Sequence, residues 1–362
     1  MIHEHDTYAP RPEPPASGHI PALDGARGVA ILLVLVFHFA GPFPGEPDLP
    51  SKVVRAGMAG GWIGVDLFFV LSGFLITRNL LADSGETRGT LGRFWRNRAL
   101  RIFPAYYLFL IAQALFVSTP NASYWLYYCN WVQPFDPVEL GSSRSHLWSL
   151  AIEEQFYLLW PLAALSLSRR RLVQLCWSIV GLAPLLRAGA LFAHIDPMLV
   201  YRGTLFRIDA LVWGALIALG VSWRGLPWLG GALTVPLVVS CRGFAFGAAP
   251  MQIAGYSFIA LFFAGVVGWA AARSPRWLEL RALRLAGRYS YGAYLLHWPL
   301  AVAGWDYFHR RPASLLEEFV WIALQTTLVF AVAALSYELV EKRFSKLRST
   351  RPSTQDAPAP AG

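Results

Sequence analysis

Arg27 and His38 lie eleven residues apart in the first apolar stretch of the chain, Asp24-Gly25-Ala26-Arg27-Gly28-Val29-Ala30-Ile31-Leu32-Leu33-Val34-Leu35-Val36-Phe37-His38. A helix turns about 100° and rises about 1.5 Å per residue, so the two side chains share one face about 16 Å apart along the axis. A guanidinium binds phosphate, and an imidazole with its ordinary pKa near 6.5 can take a proton from a hydroxyl at neutral pH. Ionisable groups inside lipid cost at least ~2.5 kcal/mol each unless they face a partner, a cavity or water. A pair aligned in this way is therefore a functional hypothesis by default.

The elements that must hold this pair are membrane helices. The 362 residues are 55% hydrophobic and only 15% charged, and the mean hydropathy is +0.42, too apolar for a soluble globule of this size. The expected fold is all-α, a polytopic integral membrane bundle. The net charge of +9 does not indicate nucleic acid, because the basic residues stand at the ends of apolar runs rather than in a basic amphipathic or RNA-binding pattern. Cys129, Cys176 and Cys241 are odd in number and scattered, which suggests neither a disulfide framework nor a metal site. No metal and no cofactor is expected.

Windows of about 20 residues pick out ten candidate spans. They run from Pro21 to Gly41, Gly60 to Leu81, Ala99 to Ser118, His146 to Leu167, Leu172 to Phe192, Thr204 to Val221, Leu226 to Gly243, Gln252 to Ala272, Gly287 to Tyr307 and Phe319 to Val340. With a cytoplasmic N-terminus, 22 of the 31 Lys and Arg fall on the inner side and nine on the outer. This asymmetry favours both termini in the cytoplasm. Residues 1–19 are polar and proline-rich, with no apolar core for a signal peptide, and residues 345–362 are Pro/Ala-rich; both tails read as disordered. The domain between them, 20–344, shows no inverted repeat of the kind that marks many transporters.

In that topology His38, Asp66, Glu153, Glu154, Arg207, Asp209 and His297, from five spans, converge on the outer half of the membrane. Such convergence suits a polar reaction chamber. At the cytoplasmic end Arg98 and Arg101 are one helical turn apart, and with Arg27 their forks suit phosphates. Each residue also has a plainer reading. The run Arg93 to Arg101 reads as a topology determinant, Asp24 as a helix N-cap and Asp209 as the local ion-pair partner of Arg207. Glu153 reads as a structural partner of Arg207 or Arg187, and His297 as bonded to a neighbouring carbonyl. Aromatics at Tyr124, Trp125, Tyr127, Tyr128 and Trp131, in the outer loop 119–145, fit either sugar stacking or interfacial anchoring.

Six blocks of sequence then carry a resemblance. They are Leu23-Asp24-Gly25-Ala26-Arg27-Gly28-Val29-Ala30 with His38, Gly64-Val65-Asp66-Leu67-Phe68-Phe69-Val70-Leu71-Ser72-Gly73-Phe74-Leu75-Ile76, and Arg98-Ala99-Leu100-Arg101-Ile102-Phe103-Pro104. The others are His146-Leu147-Trp148-Ser149-Leu150-Ala151-Ile152-Glu153-Glu154-Gln155-Phe156-Tyr157, Arg207-Ile208-Asp209-Ala210-Leu211, and Ser290-Tyr291-Gly292-Ala293-Tyr294-Leu295-Leu296-His297-Trp298-Pro299-Leu300. In this order they resemble the membrane-bound acyltransferase-3 family, which O-acylates glycans, lipopolysaccharide and some antibiotics. The resemblance runs from Ile20 to Phe344.

Membership implies a bacterial inner-membrane, multi-pass enzyme. Its acyl donor, generally acyl-CoA, is bound from the cytoplasm, and the acceptor is a hydroxyl of a glycan or a glycosylated small molecule. The family's Arg-x10-His and Arg-x-x-Arg motifs map to Arg27 with His38 and to Arg98 with Arg101. The chain is expected to be a standalone form, lacking the SGNH-hydrolase domain that some relatives carry. Arg27, Arg98 and Arg101 are then expected to hold donor phosphates, with His38 the general base and Glu153 orienting it. Asp66, Ser72, Asp209, Tyr291 and His297 are candidates for positioning the acceptor or stabilising the oxyanion, and an acyl-histidine intermediate stays open. The competing class is a multi-span exporter of lipid-linked sugars or drugs.

Overall fold

In a computed structural model, residues 18–40, 49–83, 87–221, 224–241, 243–308 and 314–348 are described. Most of both expected tails, and Gly41 at the end of the first span, lie outside them. Among the described residues there is no strand. The ten longer helices are α1 (Pro21–Phe39), α2 (Ile63–Leu81), α3 (Thr87–Phe116), α4 (Trp148–Ser166), α5 (Arg169–Phe192), α6 (Thr204–Ala218), α7 (Leu226–Ser240), α8 (Tyr256–Arg273), α9 (Arg281–Phe308) and α10 (Leu315–Ser336).

A helix thus lies on each expected segment, but not all are membrane spans by length and composition. Six described helices are long and apolar enough: Pro21–Phe39, Ser51–Leu81, Thr87–Phe116, Arg169–Phe192, Met251–Arg273 and Leu315–Ser345. α6 and α7 fall short because each has 15 residues. α4 and α9 are long enough, but Glu153, Glu154 and Gln155 in one and Arg284, Arg288 and His297 in the other dilute their apolar character.

Local chemistry explains where several helices begin. Pro21, with its φ preset and no N–H to waste, stands at the start of α1, so the N-cap position is Ile20 and carries no side-chain cap. Asp24 is therefore not the cap. It lies inside the first turn, where a carboxylate complements the helix dipole, and it accepts a hydrogen bond from His19 Nε2 at 2.7 Å. α3 starts twelve residues before the expected span, at Thr87 rather than Ala99. Arg93, Arg96, Arg98 and Arg101 consequently ride on one continuous helix.

Two glycine crossings set the helix positions that matter. A Cβ on Gly73 of α2 would lie 1.8 Å from Leu211 O of α6, and one on Gly214 of α6 would lie 2.0 Å from Val70 O. In α9, a Cβ on Gly287 would lie 1.9 Å from Asp24 O of α1. The backbones touch at both crossings, and no other residue type fits. The α1–α9 contact sits ten residues before His38, counted from Gly28, and ten residues before His297, counted from Gly287. Two helices running the same way from one contact bring equal offsets to equal heights. Gly287→Ala is expected to force this crossing apart, at a cost of about 1–3 kcal/mol or more. A lowered Tm of the purified protein in detergent, with activity falling in parallel, checks it.

Between α3 and α4 the chain folds into a lobe of short helices, Ala122–Trp125, Cys129–Val132 and Pro137–Gly141. A buried polar network holds it: Tyr124 Oη donates to Glu139 Oε2 at 2.7 Å, Gln133 Nε2 donates to Tyr124 Oη at 3.0 Å, and Arg202 Nη1 donates to Gln133 Oε1 at 2.6 Å. Several loop aromatics pack inward here. Tyr127 stacks on Tyr106 at 4.3 Å and Trp125 on Tyr107 at 5.9 Å, while Tyr124 is fully buried. Tyr124 and Tyr127 are therefore core residues of the lobe, neither open sugar platforms nor membrane anchors.

Candidate active site

α1, α2, α3, α4 and α9 enclose a cavity with about 690 Å³ of empty space, part of it open to solvent. Arg27, Arg98 and Arg101 line one part of it, and Ser72, Glu153, Glu154, Tyr157 and Tyr291 line more of its wall. The three guanidiniums act on one another electrostatically, and among the described residues none of them makes a hydrogen bond. Arg98 instead lies over the rings of Tyr157 at 5.2 Å and Phe94 at 5.5 Å. Clustered cations with unused donors form an anion site, and three forks suit phosphate.

The Glu153 carboxylate stands in the field of Arg27 and Arg98. It accepts from Ser72 Oγ at 3.2 Å and from Tyr157 Oη at 2.7 Å. Tyr291 contributes its ring to the wall, while its hydroxyl donates to Ile102 O at 2.9 Å. Tyr294 is where the cavity meets the next group of residues. Its hydroxyl donates to His146 O at 3.0 Å and pairs with Ser149 Oγ at 2.6 Å.

Three imidazoles lie beyond Tyr294. His297, fully buried, shares a hydrogen bond with Tyr294 O through Nδ1 at 2.7 Å, and its Nε2 is 3.1 Å from His38 Nδ1. A carbonyl only accepts, so His297 Nδ1 carries the proton and Nε2 presents a lone pair. His38 Nδ1–H is then shared between that lone pair and Val34 O at 3.0 Å. By elimination His38 Nε2 is the unprotonated nitrogen, free to accept a proton. His146, the third imidazole, packs edge-on against His297 with ring centres 5.0 Å apart, and its Nε2 donates to Leu295 O at 3.2 Å.

The clustered guanidiniums and an imidazole with a free nitrogen thus lie at two heights of one bundle. A family model described as an acyltransferase domain matches residues 20–338. The chain belongs to this acyltransferase family. Among curated relatives it is 27% identical to a peptidoglycan O-acetyltransferase, OatA, of Listeria monocytogenes over 91% of this chain and 56% of that protein. It is 27% identical to an O-acetyltransferase OatA of Staphylococcus aureus over 94% of this chain and 58% of the relative. It is 30% identical to a putative peptidoglycan O-acetyltransferase, YrhL, of Bacillus subtilis over 90% of this chain and 54% of the relative. The chain thus spans about half the length of these relatives. No solved structure is a significant match.

In this chain the structure redistributes the expected site residues. Arg27, Ser72, Arg98, Arg101, Glu153 and Tyr291 share one cavity, and His38 and His297 form a hydrogen-bonded pair. Glu153 does not touch His38: its hydrogen-bond partners are Ser72 and Tyr157. The reason is distance along α4, which runs against α1. His146, just before the helix begins, reaches the level of the imidazoles, and Glu153 is seven residues further on, about 10 Å towards the arginines. The residue that meets His38 is His297.

Asp66 and Asp209 are also not part of the cavity wall. Asp66 Oδ1 accepts from Arg207 Nη2 at 2.8 Å, and Arg207 stacks 4.0 Å over the Tyr256 ring. Asp209 does not pair with Arg207 either. It pairs with Arg187 at 3.1 Å and accepts from Ser257 Oγ at 2.6 Å. All four charges are buried. Losing one partner of such a pair strands the other charge, a penalty of about 3–5 kcal/mol, so these residues hold α2, α5, α6 and α8 together. Ser72 and Tyr291 keep places in the wall, but their hydroxyls are already engaged. His146 and Tyr294 were missed as site residues. The repeated Gly-x9-His spacing at Gly28/His38 and Gly287/His297 was the sequence signal for the imidazole pair.

Proposed function

We propose that this chain is a bacterial membrane O-acyltransferase that moves a short acyl group, acetyl foremost, from cytoplasmic acyl-CoA to a hydroxyl of a carbohydrate-type acceptor. The observation that carries this reading is the cluster of Arg27, Arg98 and Arg101, unbonded within the cavity, on a wall shared with the helix that bears His38. The relatives, named as O-acetyltransferases and in part as peptidoglycan O-acetyltransferases, support a sugar hydroxyl as acceptor. The reading includes ten spans with both termini in the cytoplasm, supported by the distribution of Lys and Arg.

In this reaction the arginines bind donor phosphates, and the extended pantetheine arm, roughly 20 Å long, spans the ~16 Å between Arg27 and His38. His38 Nε2 takes the proton from the acceptor hydroxyl as its oxygen attacks the thioester carbonyl. The tetrahedral intermediate collapses, the C–S bond breaks, and the imidazolium returns its proton to the departing thiolate. His297 accepts from His38 Nδ1–H, which fixes the ring and its tautomer and supports the positive charge that forms. Glu153 balances the charge of Arg27 and Arg98 within the donor cavity.

The test uses membranes containing the protein, acetyl-CoA and a thiol reagent. Free thiol is expected to appear only when a peptidoglycan fragment or another polyhydroxylated acceptor is added, with ester formed in equal amount. Export of a lipid-linked sugar without thiol release would replace this reading with the exporter.

A further inference from the structure

α10 passes into a single π-turn, Tyr337–Glu341, and then a last helical turn, Lys342–Ser345. Such a π-turn inserts one residue into the helical ladder and rotates the residues after it about the helix axis. Glu341 is thereby brought into the bundle, where it is 8% exposed. Its Oε1 approaches α9 so closely that a Cβ on Gly292 would lie 3.2 Å away. That oxygen is buried and has no hydrogen-bond partner among the described residues. Gly292 directly follows Tyr291, a residue of the cavity wall.

The segment beyond Glu341 docks on the helix that carries the anion site. Arg96 Nη2 of α3 donates to Leu347 O at 3.3 Å. The next residue, Arg348, is half-buried, with its Nε buried and without a partner among the described residues. Its charge acts on Arg98 and Arg101, and Glu341 acts on both Arg101 and Arg348. Two cations thus stand in one another's field near an internal carboxylate, with donors to spare. One carboxylate does not neutralise the neighbouring guanidiniums, so their spare donors suit a ligand that brings further negative charge.

We propose that Arg348 is a further donor-binding residue, a fourth guanidinium that takes a second phosphate group beside the cavity's Arg27, Arg98 and Arg101. The proposal rests on the acyl-CoA reading above. Arg348 does not line the cavity itself but adjoins its arginines, so it takes the phosphate furthest from the thioester. In CoA that group is the 3′-phosphate on the ribose. Glu341 lowers the mutual repulsion of Arg348 and Arg101 through its field.

The experiment measures equilibrium binding of CoA and of 3′-dephospho-CoA to the full chain in phosphatidylcholine nanodiscs. The wild-type protein is compared with Arg348→Ala and Arg348→Lys. Wild type is expected to prefer CoA, and Arg348→Ala to lose about tenfold in affinity for CoA while binding 3′-dephospho-CoA as before. Arg348→Lys, which keeps the charge, is expected to recover most of the preference. Equal weakening of both ligands, or of neither, overturns the role of Arg348 and leaves the donor reading standing. A wild-type protein that binds neither ligand overturns the donor reading and this proposal with it. Discs with an anionic phospholipid replacing phosphatidylcholine supply the last arm. If Arg348 serves a lipid headgroup, Arg348→Ala changes the response to that lipid and leaves the preference for CoA intact, which also overturns the proposal.

Discussion

Replacing His38 with Ala is expected to abolish acyl transfer, lowering kcat by about 10²–10⁴-fold, the usual worth of a positioned general base. The ring is partly buried among Phe37, His297 and Trp298, so truncation removes some packing, and thermal stability of the purified protein is the control. An unchanged Tm with lost turnover assigns the effect to chemistry. Retained turnover would sink the mechanism. His297 separates base from scaffold. His297→Gln keeps an amide oxygen able to accept from His38 Nδ1–H and is expected to preserve more activity than His297→Leu, which leaves that proton without its partner. Equal loss in the two variants would show that the hydrogen bond to His38 is not what His297 contributes.

The second large effect concerns the donor. Arg98→Ala combined with Arg101→Ala is expected to raise the KM for acyl-CoA at least about tenfold, since a hydrogen bond to a charged group is worth about 1.5–3 kcal/mol. The value of kcat at saturating donor is expected to stay within a few-fold of wild type, because neither residue approaches the imidazoles. Both line the cavity without hydrogen-bond partners among the described residues, so their removal breaks no hydrogen-bonded ion pair of the kind Arg207 makes with Asp66. A donor KM that does not move assigns Arg98 and Arg101 to membrane orientation instead, and selective cysteine labelling from each side of the membrane would then show altered topology.

The family, the helical class and the segments of the ten longer helices were legible in the residues. Apolar runs of about 20 residues must hydrogen-bond their own backbone in lipid, so helices follow from composition alone. Arg27, Arg98, Arg101 and His38 were legible too, because a fixed rise and twist converts spacing along one helix directly into position. The number of true spans was less accessible, since a helix that buries Glu153 or His297 among protein loses the hydropathy by which a span is recognised.

Partnerships between helices were decided only by the tertiary structure. By sequence, Glu153 reads as the companion of His38, and Asp209 as that of its near neighbour Arg207. In the folded chain His297 meets His38, Arg207 crosses to Asp66, and Asp209 crosses to Arg187. Those choices depend on how α1, α2, α4, α5, α6 and α9 slide along one another; the backbone contacts at Gly28 and Gly287 set α1 against α9, and those at Gly73 and Gly214 set α2 against α6. A shift of one turn moves a side chain by about 5.4 Å, more than the reach of a hydrogen bond, so no reading of one helix at a time can assign its partner. The sequence by itself determined which polar groups the bundle carries and on which helices they ride. The packing of helix on helix, with glycine against backbone at two of the crossings, decided which of them touch.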